Sequence, residues 1–425
     1  MERIAIIDGV RTPFCKMGTD FNFMSAQELG RIAARELIER TGFDVRHIDE
    51  VIFGCVGQPA DAANIARVIG LLAGVPQSTP AFTVHRNCAS GIEAVVSAAV
   101  KIRAGEGRCM LVGGTESMSN IPLFFSKASQ ELFMELGRAK TLLAKLAVMA
   151  KFCPHHFSPV VGLQLGLTDP ICSLNMGQTA EVLVQEFGIT RREQDQFSLE
   201  SHLKALASRA ILAEEIVPVI PGPKYTKATT MDNGPREGQT IEALTKLRPF
   251  FDKATGTITA GNSSQITDGA AALLVASESR AKELGLKPLG YVRAFAYAGV
   301  EPSRMGIGPA HAIPLALKKA GLKLSDMQAI EINEAFAAQV IACMKALASP
   351  AFAAKFGFEG FTGEIDPAKL NKHGGGVALG HPVGTTGARI ILTTLKRLQR
   401  ENQDFGVASL CIGGGQGAAV VLERA

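Results

Sequence analysis

The sequence has no CxxC pair, no uninterrupted apolar stretch long enough to cross a bilayer, and little excess of either charge. Each absence removes a class of protein. Eight cysteines, at positions 15, 55, 88, 109, 153, 172, 343 and 411, lie scattered without the tight spacing of a disulfide framework. That spread fits free thiols in a reducing compartment. Cys153-Pro154-His155-His156 has residue types that bind metals, but the remaining spaced ligands of a zinc site are missing, so no metal is expected. The formal charge of +4, from 44 basic and 40 acidic residues, does not support nucleic-acid binding and fits a small anionic ligand better. Met1 to Ile7 enters a strand-like segment with neither an apolar signal core nor an Arg/Ser-rich leader, so a cytoplasmic location is expected.

What is present describes a well-buried globular chain. At 425 residues, with 47% hydrophobic and 20% charged side chains, it is too long for one ordinary core and predicts two or three packed units. Its 44 glycines gather in short runs beside apolar strands, where backbone must come close to a ligand or to another backbone.

Short apolar runs alternate with helical patterns. Ile4–Ile7, Glu50–Gly54, Ala81–Val84 and Cys109–Val112 predict buried strands, with helices at Gln27–Thr41, Ala60–Leu72 and Gly91–Ala104 between them. A second set has strands at Gly290–Ala294, Ala329–Ile332, Gly406–Cys411 and Ala418–Leu422, and helices at Ala312–Ala320, Ala335–Leu347 and Gly384–Gln399. Alternation of this kind predicts an α/β fold with helices covering both faces of a sheet. Cys109–Thr115 parallels Ser409–Gly415, and the strand–Asn87-Cys88–helix junction parallels strand–Asn333-Glu334–helix, which suggests two similar halves. The expected division is residues 1–118 for the first half, completed by about 244–275, an inserted loop domain over 119–243, and a second half over 276–425. Within the insert, Gln130–Phe152 has apolar residues at helical spacing with Arg138, Lys140, Lys145 and Lys151. It can pack on its own domain, meet a partner protein or lie on a membrane surface.

Four constellations carry chemistry. Cys88 stands at the start of a helix, where the backbone dipole and free amides are expected to favour thiolate. Gly380-His381-Pro382-Val383-Gly384 holds a histidine on a stiff loop, suited to serve a thiol as base. Cys411 leads into Gly413-Gly414-Gly415, whose open amides can receive a developing oxyanion; otherwise Cys411 simply packs. Asn333 can hold a water or carbonyl oxygen, or cap the following helix. Two cysteines, a loop histidine and an asparagine beside such features call for one shared site.

Together these blocks resemble the thiolase family of acyl-CoA C-acyltransferases over essentially the whole length. Asn87–Gly91, Asn333–Phe336, Gly380–Gly384 and the Cys411 loop match the family's active-site blocks in order, and Asn262-Ser263-Ser264 with Thr267–Ala270 matches a fifth. The resemblance implies a five-layered αβαβα body of two like halves, with an inserted loop domain that receives coenzyme A. It implies ping-pong thiolysis of 3-ketoacyl-CoA, with Cys88 as the acylated nucleophile, His381 as its base and an oxyanion donor, and Cys411 as acid and base at the α-carbon. Asn333 through a water, and the amides of Cys88 and Gly413, would stabilise oxyanions. Arg236, Ser264 and Met176 are the implied contacts to coenzyme A. No permanently bound cofactor is implied; coenzyme A and acyl-CoA are substrates.

Acetoacetyl-specific biosynthetic members usually carry a His-Met pair where this chain has Asn175-Met176-Gly177. That difference and the Gln130–Phe152 insert resemble the β-subunits of fatty-acid oxidation complexes, although those commonly have histidine at the position of Asn333. The reading is therefore a degradative 3-ketoacyl-CoA thiolase for medium or long chains, a homodimer or homotetramer, with a hydratase/dehydrogenase partner subunit in view. The alternatives are a biosynthetic acetyl-CoA C-acetyltransferase and, more remotely, a noncatalytic acyl-CoA- or lipid-binding relative.

Overall fold

A computed structural model describes residues 2–425. The first half has strands β1 (Ile4–Arg11), β2 (Glu50–Gly54), β3 (Ala81–Val84) and β4 (Cys109–Glu116), with helices α1 (Ala26–Thr41), α2 (Ile65–Leu72) and α3 (Ser90–Ala104). The insert carries α4 (Lys127–Arg138), α5 (Leu142–Met149), α6 (Met176–Glu186) and α7 (Arg191–Ala207). The chain then returns as β5 (Thr267–Ser277) and enters the second half. That half comprises β6 (Gly290–Gly299), α8 (Gly308–Ala320), β7 (Ala329–Ile332), α9 (Ala337–Leu347), α10 (Thr386–Arg400), β8 (Phe405–Ile412) and β9 (Gln416–Arg424).

Neighbouring strands run in the order β7-β8-β9-β6-β1-β5-β4-β2-β3. The seam is β1 against β6, with Ile4 opposite Val292 and Ile6 opposite Gly290. On either side of it the same pattern recurs. β1 pairs antiparallel with β5, β5 antiparallel with β4, and β4 parallel with β2. β6 pairs antiparallel with β9, β9 antiparallel with β8, and β8 parallel with β7. This is the internal repeat in three dimensions.

Strand alternation builds the layers. Met110, Val112, Leu273 and Val275 point to one face, where they pack with Ile92, Val95, Ile391 and Leu395 of α3 and α10. Leu111 and Leu274 point to the other face, against Leu37 and Ile69 of α1 and α2. In the second half Ala408 and Val420 join the α3/α10 layer, whereas Val407 and Val421 meet Ile313, Leu317 and Val340 of α8 and α9. The order is helix, sheet, helix, sheet, helix, so α3 and α10 form a central layer covered on both sides. Each large aliphatic side chain buried there contributes on the order of 1.5–3 kcal/mol.

Three local expectations change. α2 begins at Ile65 rather than Ala60, because Asn64 caps it by accepting from Arg67 N at 3.3 Å. β5 was not among the expected strands: Thr-Asp-Gly-Ala-Ala-Ala is poor in β-formers and, buried on both faces, shows no alternation. The junction pairing also shifts. Asn333 follows β7, whose counterpart is β2, so the partner of the Cys88 junction into α3 is the His381 junction into α10.

The amphipathic run in the insert divides into α4 and α5, with Val148 the one buried residue of α5 and Leu142 and Leu143 74% and 80% exposed. Among the described residues no single helix is long and apolar enough to cross a membrane.

Candidate active site

Beyond β3 the chain makes a tight turn before α3. Asn87 takes φ of 42°, a left-handed conformation that asparagine tolerates better than most residues. Ser90 Oγ locks the turn, donating to the Asn87 carbonyl at 2.7 Å and accepting from Arg86 N at 2.9 Å. Cys88 is thereby presented at the helix start. Its thiol is not the stabilised thiolate expected there. Burial pushes its pKa up, and hydrogen bonds from the Gly413 amide and its own amide lower it without overcoming that effect. Desolvation of the charged sulfur outweighs the helix terminus, so Cys88 rests as a thiol.

His381 sits between a glycine run and α10. Gly380 has φ of 99°, and a Cβ there would strike the Thr267 side chain, so only glycine fits. His381 N donates to Gln265 O at 3.2 Å, and its Nδ1 lies 2.6 Å from Thr386 Oγ1. The Nε2 atom is buried and has no protein partner. Burial, then the Arg389 cation, depresses the imidazole pKa to about 3, so the ring is neutral at physiological pH.

Cys411 stands near the end of β8, opposite Gly417 of β9. Gly414 and Gly415 turn the hairpin at φ of 89° and 81°. Asn87 Nδ2 donates to Gly413 O at 2.7 Å, tying this hairpin to the Cys88 turn across the two halves. Burial and the neighbouring Cys88 sulfur push the Cys411 thiol far up, which keeps it protonated and able to act as an acid.

Cys88, His381, Cys411, Gly413, Met176 and Ser264 all line one cavity of about 630 Å3. Its outer wall comes from the insert, with Ile121, Phe124, Leu163, Leu167 and Ile171. Met176 is the first residue of α6, and Asn175 caps that helix in a reciprocal box with Gln178.

Two expected site residues do not line the cavity. Asn333 is buried beneath it, 1% exposed, with neither side-chain polar atom partnered. It does not cap a helix, because α9 starts at Ala337. Arg236 is exposed; burial first, and then the nearby Arg236 charge, lowers the pKa values of Lys16 and His202.

Two buried carboxylates to which no role was expected join backbone segments, Glu116 at the cavity wall and Glu334 outside its lining. Glu116, at the end of β4, accepts from Gly57 N at 2.7 Å, Val56 N at 3.1 Å and Gly384 N at 2.8 Å, joining the cavity wall to the His381 loop. Glu334 accepts from Ser201 Oγ at 2.6 Å and Asn371 Nδ2 at 2.8 Å, and lies so close under Gly375 that a Cβ would collide with its carboxylate. The available signal was an isolated acid at the end of an apolar run, in Val-Gly-Gly-Thr-Glu and Ile-Asn-Glu-Ala.

Cys153, His155 and His156 do place ligand-type atoms within 4.8 Å of one another. Their geometry is that of a helix start: His156 Nδ1 accepts from Cys153 N at 2.9 Å, and the His156 amide donates to the Cys153 carbonyl oxygen at 2.9 Å.

Two family descriptions match in succession: "Thiolase, N-terminal domain" over residues 4–279 and "Thiolase, C-terminal domain" over residues 286–424. The chain belongs to the thiolase family. This thiolase is 42% identical to a 3-ketoacyl-CoA thiolase of Pectobacterium carotovorum subsp. carotovorum, across 99% of this chain and 97% of that protein. It is 41% identical to a 3-ketoacyl-CoA thiolase of Photobacterium profundum, with the same coverage. Among solved structures, human mitochondrial 3-ketoacyl-CoA thiolase in complex with CoA superposes with a TM-score of 0.85 at 34% identity, covering 100% of this chain and 98% of that one. The acetyl-CoA acetyltransferase of Bacillus anthracis gives a TM-score of 0.87 at 36% identity, covering 100% and 99%.

Proposed function

We propose that this thiolase is a 3-ketoacyl-CoA thiolase, cleaving its substrate with coenzyme A into acetyl-CoA and a shortened acyl-CoA. The observation that carries this reading is the meeting of two protonated thiols and one unpartnered imidazole nitrogen on a single cavity. A thiolytic carbon–carbon cleavage needs that set: one sulfur to hold the acyl group, one proton donor for the carbon that leaves, and a base.

Cys88 attacks the keto carbon while His381 takes its proton. The resting imidazole is a weak base, so proton transfer accompanies carbon–sulfur bond formation, as the thiol becomes more acidic and negative charge appears on the substrate oxygen. The amides of Cys88 and Gly413 receive that oxyanion; losing one such donor typically costs about 3 kcal/mol of barrier lowering. Collapse of the adduct expels the acetyl-CoA enolate, and Cys411 protonates its α-carbon. Asn333, which does not itself line the cavity but whose side-chain polar atoms are unpartnered, would hold a water that stabilises the enolate oxygen together with His381. Coenzyme A, deprotonated by Cys411, then releases the shortened acyl group from Cys88. Met176 and Ser264 would flank the pantetheine, with Arg236 outside toward the phosphates.

The apolar wall contributed by the insert supports medium or long acyl chains. The half-buried edge strand β3 supports assembly as a homodimer or homotetramer, and the exposed apolar side chains of α4 and α5 support a hydratase/dehydrogenase partner or a membrane-surface contact. A second reading, acetyl-CoA C-acetyltransferase, draws on the likeness to the Bacillus anthracis enzyme. Steady-state thiolysis across acyl lengths separates the two. Preference for acetoacetyl-CoA over a long-chain 3-ketoacyl-CoA would overturn the first.

A further inference from the structure

The histidine that must accept the Cys88 proton touches a single side-chain polar partner, and that partner's own bonding decides which ring nitrogen is bare. Thr386 is the first residue of α10. Its Oγ1 lies 2.6 Å from His381 Nδ1 and 3.0 Å from the carbonyl oxygen of Pro382. A carbonyl oxygen only accepts, so the one hydroxyl proton satisfies the second contact by donating to Pro382 O. Were it turned toward the ring instead, oxygen lone pairs would face each other at 3.0 Å. With the proton committed to Pro382, Oγ1 offers a lone pair to the imidazole, and the 2.6 Å contact then requires hydrogen on Nδ1.

We infer that Thr386 is a positioning residue that sets the tautomer of His381, holding the ring proton on Nδ1 so that Nε2 faces the cavity as a bare nitrogen. A neutral imidazole has only one N–H.

This inference rests on the thiolase reading for its consequence. As the Cys88 sulfur–hydrogen bond breaks, its electron pair goes to the substrate carbonyl carbon, and the proton forms a new N–H bond on Nε2. The substrate oxygen takes the negative charge. The imidazolium then keeps its Nδ1–H bond to Thr386, which keeps its own bond to Pro382, so nothing behind the ring has to rearrange. That continuity matters because Arg389, one turn along α10, is a buried cation that opposes a charged ring. The short loop Pro382–Thr385 keeps the pair in register: Pro382 O also accepts from Thr385 N at 2.9 Å and Thr386 N at 3.0 Å.

The direct test is a nitrogen NMR spectrum of the full-length protein carrying 15N-labelled histidine, with the His381 signals identified by their loss in His381→Asn. The expected spectrum has Nδ1 protonated and Nε2 bare near neutral pH. A proton on Nε2 would overturn the assignment, and this reading needs no Thr386 variant to fold. Thr386→Val, which keeps the shape and removes the acceptor, should slow single-turnover acylation of Cys88 on the order of 10²-fold, with KM for the acyl-CoA little changed. Thr386→Ser should restore most of the rate. Acylation of the valine variant at the wild-type rate would equally overturn the inference. A protein with bare Nε2 that cleaves no 3-ketoacyl-CoA would support the tautomer while retiring the functional reading, so the two fail separately.

Discussion

Gly91 of α3 and Gly387 of α10 press on each other's helix. A Cβ on Gly91 would stand 2.5 Å from the Ala388 backbone nitrogen, and one on Gly387 would collide with the Ile92 nitrogen. The two central helices therefore meet backbone to backbone in their first turns. Cys88 precedes Gly91 by three residues and His381 precedes Gly387 by six, so this contact draws Cys88 and His381 to one cavity.

Substituting either glycine should separate chemistry from folding. In Gly387→Ala the extra methyl has no room, and overpacking should cost about 1–3 kcal/mol in stability. The spread at the helix N-termini should cost on the order of 10²-fold in acylation of Cys88. Thermal unfolding and a single-turnover acylation assay would measure both. A variant that acylates at the wild-type rate would show that the close crossing does not position the pair.

The two cysteines should fail differently. Cys88→Ala is expected to give no acyl-enzyme, read as the absence of a mass shift on the intact protein after incubation with an acyl-CoA. Cys411→Ala should still acquire that mass yet lose exchange of the α-proton of acetyl-CoA with solvent. Normal exchange in the second variant removes Cys411 from the mechanism.

Asn87 combines a left-handed φ with the tether to Gly413 O, and the two can be told apart. Asn87→Gly keeps the backbone conformation and loses the tether. Asn87→Ala loses both, adding about 1 kcal/mol of backbone strain. Both variants should lose at least about 10-fold in acylation, since the tether holds the Gly413 amide on the Cys88 sulfur. If the glycine variant keeps full activity, the conformation alone is what the site needs.

Acid should destabilise the fold through its buried histidines. Burial depresses His202, His311 and His373 to about 4 and His381 to about 3, all below the ordinary value of 6.5. The unfolded chain therefore binds more protons in this window, so stability present above pH 6.5 is lost as the pH falls toward 4. Each histidine contributes a slope of up to about 1.4 kcal/mol per pH unit. Buried Glu331, raised to about 7, works in the opposite direction by favouring the protonated fold. Denaturant midpoints measured between pH 7 and pH 4 should fall steeply, and a flat profile would contradict the neutral, buried state of these rings.

Much of the fold was legible because the strands are buried on both faces and the helices between them carry clear apolar periodicity. Cys109–Val112 reads as a strand for that reason, whereas Ala81–Val84, a half-buried edge strand, shows only as a short apolar run. Where periodicity was missing the reading thinned: β5 is an alanine- and glycine-rich strand that resembles no strand by composition. The site was legible as residue types in order. Its electrostatics were not, since the helix start at Cys88 suggests a thiolate, whereas burial, invisible in one dimension, leaves a thiol.

The order of apolar runs, the glycines that admit no side chain and the two cysteines with one histidine belong to the sequence itself, because periodicity, steric size and chemical type are local properties. Which of these residues meet was decided only in three dimensions. The crossing at Gly91 and Gly387, the reach of Asn87 to Gly413 and the carboxylate of Glu116 on Gly384 N all join positions hundreds of residues apart in the chain or in opposite halves of it. Distance and desolvation, which set those contacts and the protonation of every group at the site, depend on packing and so exist only once the layers have closed.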